Sequence, residues 1–261
     1  MPRLRLLAVV LLAAGAVGAL VPNALAMENQ TATPSRASNS FLGAEGDVSA
    51  GQAVFSARCA SCHGTAGQGT ALGPSLIGVG AAAADFQLRT GRMPFSGPPG
   101  AQAVRKPPAF DDATILDLDA YVAALGSGPA IPQPRVDPDT VSAGQRLFIA
   151  NCAPCHGATA RGGAVGGGSL APALDVATPV EVAEAMLIAP GEMPDFSGLS
   201  DGDRDAVVSY VVFLQTQPNP GGASIGGIGP VPEGFAGWVL GLGLILVVVL
   251  VVGRDWRGRR A

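Results

Sequence analysis

Histidine and aromatic residues are scarce in this chain. Its 261 residues include two histidines and 5% aromatic residues, whereas glycine (37) and proline (22) are abundant. So few large side chains argue against one large core and predict small, loop-rich domains. The sequence also shows no convincing strand alternation, and its scattered acidic residues form no convincing carboxylate pair. Both histidines directly follow a cysteine. Because each is assigned below to a cluster with its cysteines, no histidine is left for a Ser-His-Asp triad.

Every cysteine and every histidine lies in one of two short clusters. The first is Cys59-Ala60-Ser61-Cys62-His63, and the second is Cys152-Ala153-Pro154-Cys155-His156. A Cys-x-x-Cys-His run places two thiols on one helical turn, where they form thioether bonds to the two vinyl groups of a haem. The histidine that follows reaches the iron from the same side. The clusters therefore predict two covalently bound haem c groups.

Three alternatives to haem explain less of the pattern. A zinc site built from both cysteine pairs would leave the two histidines without a role. A redox dithiol is expected beside a strand–helix–strand pattern, which this sequence lacks. Structural disulfides suit an exported protein, but a gap of two residues makes a poor cross-link. All three stay open, and haem c is favoured.

Each cluster is followed by a methionine that can complete the coordination of the iron. Met93 lies 30 residues after His63, Met193 lies 37 residues after His156, and each methionine precedes a proline. A methionine thioether is the usual partner of histidine in electron-transfer cytochromes. Such an iron has no open position, which suits single-electron transfer and not substrate binding. Met186 lies in an apolar helical run and is predicted to pack in the core.

The two clusters belong to an internal repeat with an offset of 93 residues. The repeat predicts two helical domains, at residues 47–126 and 139–217, joined by a linker at 127–138 that is rich in proline and glycine. The first copy holds 11 extra residues, which fall within Ser96–Phe110. This insertion is either a docking surface or an inert loop.

Serine residues mark the expected starts of three helices. Ser49 and Ser142 are placed to cap the short helices that run into the cysteine clusters. Ser200, with Asp203 three residues later, resembles a capping box that opens the last helix of the second domain.

Both ends of the chain carry membrane signals. Residues 1–26 combine two arginines, an apolar run and a small-residue cleavage site, which predicts a secretory signal peptide; the alternative is an uncleaved N-terminal anchor. Residues 235–252 are uncharged and as a helix would span roughly 27 Å, close to the thickness of a bilayer core. The basic tail, 253–261, is expected in the cytoplasm.

These signals place residues 27–234 on the outer face of the cell membrane, tethered by one C-terminal helix, or by two helices if the N-terminus is not cleaved. This region holds 10 basic and 19 acidic residues, a net charge of −9, which argues against nucleic acid as a partner. Residues 27–46 are predicted to be flexible, and 218–234 form a second linker rich in glycine and proline.

Three further segments indicate a particular family more specifically than the two cysteine–histidine clusters do. They are Gly-Pro-Ser-Leu-Ile-Gly-Val-Gly (73–80), Thr-Gly-Arg-Met-Pro (90–94) and Gly-Pro-Val-Pro-Glu-Gly (229–234). Through them, the chain resembles the dihaem cytochrome c subunit of the actinobacterial menaquinol–cytochrome c reductase, the cytochrome bcc complex. The resemblance covers most of residues 45–252. It implies an all-α fold of two tandem class I cytochrome c domains followed by a transmembrane helix.

The resemblance also implies a function. In this family, cytochrome b and a Rieske iron–sulfur subunit oxidise menaquinol, the first haem receives the Rieske electron, and the second passes it to an aa-type oxidase. The chain would be the electron-transfer subunit of a translocase, without substrate chemistry of its own. The alternative is a membrane-tethered dihaem carrier that serves another dehydrogenase or reductase.

Four further residues are candidates for contacts around the haems. Pro74 and Pro172 lie where cytochromes c place the carbonyl group that accepts a hydrogen bond from the histidine Nδ1–H. Arg89 and Arg92, just before Met93, are candidates to pair with haem propionates, although solvated arginines explain them equally well.

Overall fold

The computed structural model describes residues 46–98, 100–217 and 230–257. Several predicted segments lie outside the described residues in whole or in large part: the signal peptide (1–26), the flexible segment (27–46), the second linker (218–234) and the end of the basic tail (253–261).

The first copy of the repeat is helical. Its helices are α1 (Val48–Arg58), α2 (Ala60–His63), α3 (Gly80–Arg89) and α4 (Asp112–Ala124). The carboxylate of Asp47 caps α1 by accepting hydrogen bonds from the backbone N–H groups of Ser49 and Ala50, at 2.7 and 3.1 Å. The prediction that Ser49 is the cap was wrong, because the Ser49 hydroxyl itself donates to that carboxylate.

The second copy repeats this order and adds a short hairpin. It contains a 3₁₀ turn (Pro138–Thr140), α5 (Val141–Asn151), α6 (Ala153–His156), β1 (Gly163–Gly166), β2 (Ser169–Ala171), α7 (Pro179–Ile188) and α8 (Asp201–Thr216). Ser142 does not cap α5, because the 3₁₀ turn, capped by Asp137, leads directly into that helix. Ser200 caps α8 as predicted, accepting from the N–H of Asp203 at 3.1 Å.

The hairpin lies in a glycine-rich segment of the second copy that shows no strand alternation in the sequence. β1 and β2 pair antiparallel, and Gly167 and Gly168 make the turn between them; both of these glycines, and Gly166 at the end of β1, have positive φ. Such backbone angles favour glycine, because a Cβ would clash with the neighbouring peptide group. Within the described residues the other regular elements are helices, and the predicted all-α class is confirmed.

Each copy is built around one close helix crossing. α1 crosses α4 in the first copy, and α5 crosses α8 in the second. A Cβ placed on Gly51 would lie 1.9 Å from the carbonyl oxygen of Asp117, and one on Gly144 would lie 1.9 Å from that of Ala206. Only glycine permits this approach, which explains why both copies of the repeat begin with it.

An aromatic pair fills each crossing. The ring centroids of Phe55 and Tyr121 are 5.0 Å apart, and those of Phe148 and Tyr210 are 5.4 Å apart. All four side chains are buried. One buried Phe–Tyr pair therefore stabilises the contact between the first and last helices of each domain.

The two domains contact each other through α3 and α7 and through the insertion (Ser96–Phe110). The side chain of Gln102 donates to the backbone carbonyl of Leu170 at 2.7 Å and accepts from its N–H at 3.0 Å. Arg105 Nη2 donates to Glu181 Oε2 at 2.6 Å. Part of the insertion therefore joins the two domains.

The last described helix is α9 (Pro230–Arg257). It contains Gly234–Gly253, a segment of 20 residues with mean hydropathy 2.8 and no buried side chains. By length and composition this segment is able to cross a membrane. The helix includes the whole predicted span, 235–252.

Candidate haem-binding sites

In both copies, a break between two helices brings the cluster residues together. The N–H groups of Cys62 and His63 both donate to the carbonyl oxygen of Cys59, at 3.1 and 3.0 Å. Cys155 and His156 make the same contacts with Cys152, at 3.2 and 2.8 Å. Two thiols and an imidazole thus lie on one turn, as the spacing predicts.

The imidazole of each cluster is oriented by a backbone carbonyl group. His63 Nδ1 lies 2.8 Å from the carbonyl oxygen of Pro74, and His156 Nδ1 lies 2.9 Å from that of Pro172. Because Nδ1–H donates in this contact, the lone pair of Nε2 is left for a metal ion. Burial also lowers the pKa of His156, which favours the neutral ring that ligation requires.

The loop after each cluster also binds the backbone of the histidine. The N–H groups of Gly69 and Gly162 donate to the carbonyl oxygens of His63 and His156, both at 2.7 Å. Both glycines have positive φ, 84° and 78°. The equivalence of these contacts in the two copies indicates that the repeat preserves one binding geometry.

The four cysteines are not paired as disulfides in the structure. Since the two cysteine pairs lie in separate domains, they do not converge on a common four-sulfur zinc site. Burial raises the pKa of the Cys59 thiol, and it raises that of Cys152 to about 11. Thiols with raised pKa values are poor redox nucleophiles, which disfavours the dithiol alternative.

The second site is a cavity of about 390 Å³. Cys152, Cys155, His156 and Met193 all line it, together with apolar side chains from α7 and α8. Thiols, a neutral imidazole and a thioether within apolar walls are the donor set that haem c requires. Met186 is buried in the core of this domain, in agreement with its predicted packing role.

In the first site, Cys59 and Met93 pack against the same apolar cluster, which includes Phe55 and Leu88. A Cβ on Gly73 would lie 3.2 Å from the His63 ring, so the loop passes directly beside the imidazole. The structure thus brings the predicted cysteine, histidine and methionine of each copy into one domain.

The two candidate propionate arginines have different surroundings. Arg89 pairs with Asp85 at 2.5 Å and with Asp112 at 2.7 Å, so ion pairs within the first domain engage it. The guanidinium of Arg92 stacks on the ring of Phe86 at 4.9 Å and lines the cavity of the second domain. Burial, together with the charge of Arg105, lowers the pKa of Arg92.

The structure also reveals an acidic cluster that the sequence analysis missed. Asp85, Asp119 and Glu184 are 2%, 3% and 0% exposed, and they meet where α3, α4 and α7 pack. The prediction that the acidic residues form no convincing carboxylate pair was wrong. The sequence does not reveal this cluster, because its three residues come from distant segments. The one sequence signal was the repeat, since Asp85 and Glu184 are the sixth residues of equivalent helices.

Hydrogen bonding within this cluster requires a proton on one of its carboxyl groups. Within the described residues, no N–H or O–H group donates to the carboxyl oxygens of Asp119 or Glu184. Their polar neighbour is the carboxylate of Asp85, and such a contact is a hydrogen bond only when a proton lies in it. In the described ranges no group of three or more His, Cys, Asp or Glu residues is arranged to hold a metal ion.

Comparison with known proteins finds a matching family for each copy of the repeat. Residues 48–126 match the family described as cytochrome c, and residues 139–211 match the family described as cytochrome C oxidase, cbb3-type, subunit III. The crystal structure of reduced recombinant cytochrome c4 from Pseudomonas stutzeri matches 64% of this chain and 97% of that chain, at 23% identity and with a TM-score of 0.24.

Two curated relatives extend along most of the chain. The cytochrome bc1 complex cytochrome c subunit of Corynebacterium diphtheriae is 37% identical over 96% of this chain and 92% of that protein. The subunit of the same name from Corynebacterium efficiens is 39% identical over 82% of this chain and 77% of that protein. The resemblance noted in the sequence is therefore confirmed.

The two cytochrome c domains, each with its own Cys-x-x-Cys-His cluster, fit two covalently bound haem c groups. The chain is a dihaem electron carrier with one apolar C-terminal helix. Because its identity to a curated relative runs along nearly the whole of both proteins, this chain belongs to the family of cytochrome bc1 complex cytochrome c subunits.

Proposed function

We propose that this chain is the electron-transfer subunit of a menaquinol–cytochrome c reductase, a translocase. It takes electrons from a Rieske iron–sulfur protein at the first domain and delivers them from the second domain to an aa-type oxidase. The observation that carries the proposal is the presence of two equivalent sets of cysteine, histidine and methionine in one chain of this family.

Eight side chains would hold the two haems. The thioether bonds would come from Cys59, Cys62, Cys152 and Cys155, and the axial ligands would be His63 with Met93 and His156 with Met193. When bound, each haem supplies a one-electron redox centre. The protein fixes the rings of both histidines through the carbonyl groups of Pro74 and Pro172. As ligands, the two methionines would keep water and oxygen from binding the iron.

The contact between the domains supports a relay without a docking step. α3 packs on α7, and Gln102 and Arg105 connect the insertion to the second domain. Electron transfer falls steeply with distance, so two sites held by one interface exchange electrons without waiting for a diffusing carrier.

The apolar segment of α9 supports a tethered location. A single helix would anchor the chain in the cell membrane, with both haem domains on the outer face beside cytochrome b and the Rieske protein. Tethering raises the effective concentration of the carrier at its partners, which removes the need for a mobile cytochrome c.

Reduction by quinol in membranes tests this proposal. Adding menaquinol to membranes that contain the chain should reduce its c-type haem band, and deleting cytochrome b should abolish that reduction. Dithionite should reduce the band in both membranes, which controls for the amount of haem. Equal reduction by menaquinol without cytochrome b would assign the chain to a different electron donor.

A further inference from the structure

A second cavity, of about 440 Å³, adjoins the haem cavity of the second domain. The two cavities share Arg92, Arg105 and Pro172 in their walls. Arg161 lines the second cavity as well. Three arginines from two domains therefore surround a space that begins beside the proline carbonyl which orients His156.

Arg92 is the least satisfied of these arginines. Its Nη1 is buried, and no described residue accepts a hydrogen bond from it. The guanidinium lies over Phe86, whose ring offers no acceptor oxygen. A buried guanidinium nitrogen without an acceptor is costly, so an anion is expected next to it.

The other two arginines leave donors available. Arg105 uses Nη2 for Glu181, and Arg161 Nη1 contacts Asp175 at 3.4 Å on the surface. Among the described residues, no acidic side chain lines the second cavity. The cavity thus has an excess of positive charge, whereas the adjoining haem cavity is largely apolar.

We propose that Arg92 and Arg105 of the first domain bind a propionate of the haem attached at Cys152 and Cys155. The haem carries two carboxylates, and guanidinium groups match carboxylate geometry with two parallel hydrogen bonds. The first domain then completes the haem site of the second domain. The inference rests on haem attachment to the second domain and deepens the proposed electron relay.

A consequence follows for the redox potential. Positive charge near a haem favours the reduced state, because reduction adds an electron. The first domain would therefore raise the potential of the second haem, and the interface between the domains would set part of the driving force between the two haems.

The test uses the full-length chain in its membrane complex, with two attached haems verified for each variant. In spectroelectrochemical titration, Arg92→Gln should lower the equilibrium constant for reduction of the second haem about tenfold. This corresponds to a midpoint potential lower by about 59 mV for one electron. Arg92→Lys keeps the charge and should recover at least half of that shift. Arg146→Gln, an exposed arginine on α5, should shift neither haem.

Two variants identify the titration wave of the second haem. Met193→Leu should move it through loss of the axial ligand, and Arg161→Gln should move it through loss of a nearby charge. If Met193→Leu moves neither wave, the axial assignment fails while Arg161→Gln still identifies the wave.

Three results would overturn the inference: a shift of the first haem alone in Arg92→Gln, a shift of neither haem, or a shift that requires added inorganic phosphate. The last result would assign the arginines to a free anion and not to a propionate.

Discussion

Replacing Met193 by leucine should lower the midpoint potential of the second haem while both haems stay attached. A thioether ligand stabilises the reduced iron, so its loss should lower the potential by on the order of 100 mV, a fraction of the ~0.8 V range that axial ligands span. Met93→Leu should have the same effect on the first haem. The measurement is a spectroelectrochemical titration of each variant, with haem content checked by the pyridine haemochrome spectrum.

The structure explains why this substitution isolates the ligand. Met193 is partly buried against the core of the second domain, and leucine has nearly the same volume and polarity. The thiols of Cys152 and Cys155 that hold the haem are unchanged. The folded domain should therefore persist, and only the thioether that is proposed to bind the iron should be lost.

Met186→Leu is the matched control. It makes the same chemical change in the same domain and in a side chain that lines the same cavity, but one buried in the core. In Met186→Leu, the midpoint potential and the ligand spectrum of the second haem should equal those of the unaltered chain. If Met193→Leu and Met93→Leu also leave both properties unchanged, the axial assignment of the methionines is wrong.

The stability of the haem domains should fall as the pH rises from about 4 to about 9. Burial, followed by the charge of Asp85, raises the pKa of Asp119 to about 9 and that of Glu184 to about 10. In the unfolded chain these groups titrate near about 4. Between those limits the folded protein binds more protons than the unfolded chain, so each group lowers the stability by up to about 1.4 kcal/mol per pH unit.

Charged neighbours modify this effect from several sides. Asp85 on α3 and Glu181 on α7 both favour the protonated form of Glu184, whereas Arg89 favours the ionised form of Asp119. Because these groups lie at the contact of α3 with α7, deprotonation should weaken the interface between the domains before it affects either core.

Asp119→Asn tests the pH effect. The amide keeps the shape of the side chain and removes the proton equilibrium, so the melting temperature of the holoprotein in detergent should vary less between pH 5 and pH 9. Glu184→Gln should act in the same direction. Asp139→Asn, at an exposed carboxylate of the second domain, should keep the slope of the unaltered chain. An unchanged slope in both buried variants would show that these carboxyl groups do not retain their protons.

The local chemistry of the sites was readable from the sequence, and the contacts between the domains were not. The spacing of Cys59, Cys62 and His63 dictates one helical turn, so it predicts their meeting without knowledge of the fold. The repeat aligns Gly51 with Gly144 but predicts no role for them; the structure shows the close helix crossing that both permit.

The missed features depend on distant segments. Asp85, Asp119 and Glu184 meet only because α3 packs on both α4 and α7, and no pattern within any one helix encodes that contact. The reach of Arg92 into the cavity of the other domain is unpredictable for the same reason. The wrong prediction of the cap of α1 has a local cause. The carboxylate of Asp47, two residues before Ser49, accepts the hydrogen bonds of the helix N-terminus in place of the Ser49 hydroxyl.

Purification in mild detergent tests the central claim most directly. An affinity tag on this chain should recover cytochrome b, a Rieske iron–sulfur protein and an aa-type oxidase in stable proportion, with two c-type haems for each copy of the chain. Recovery of the chain alone, or together with a dehydrogenase or another reductase, would contradict the proposed relay from quinol to oxidase.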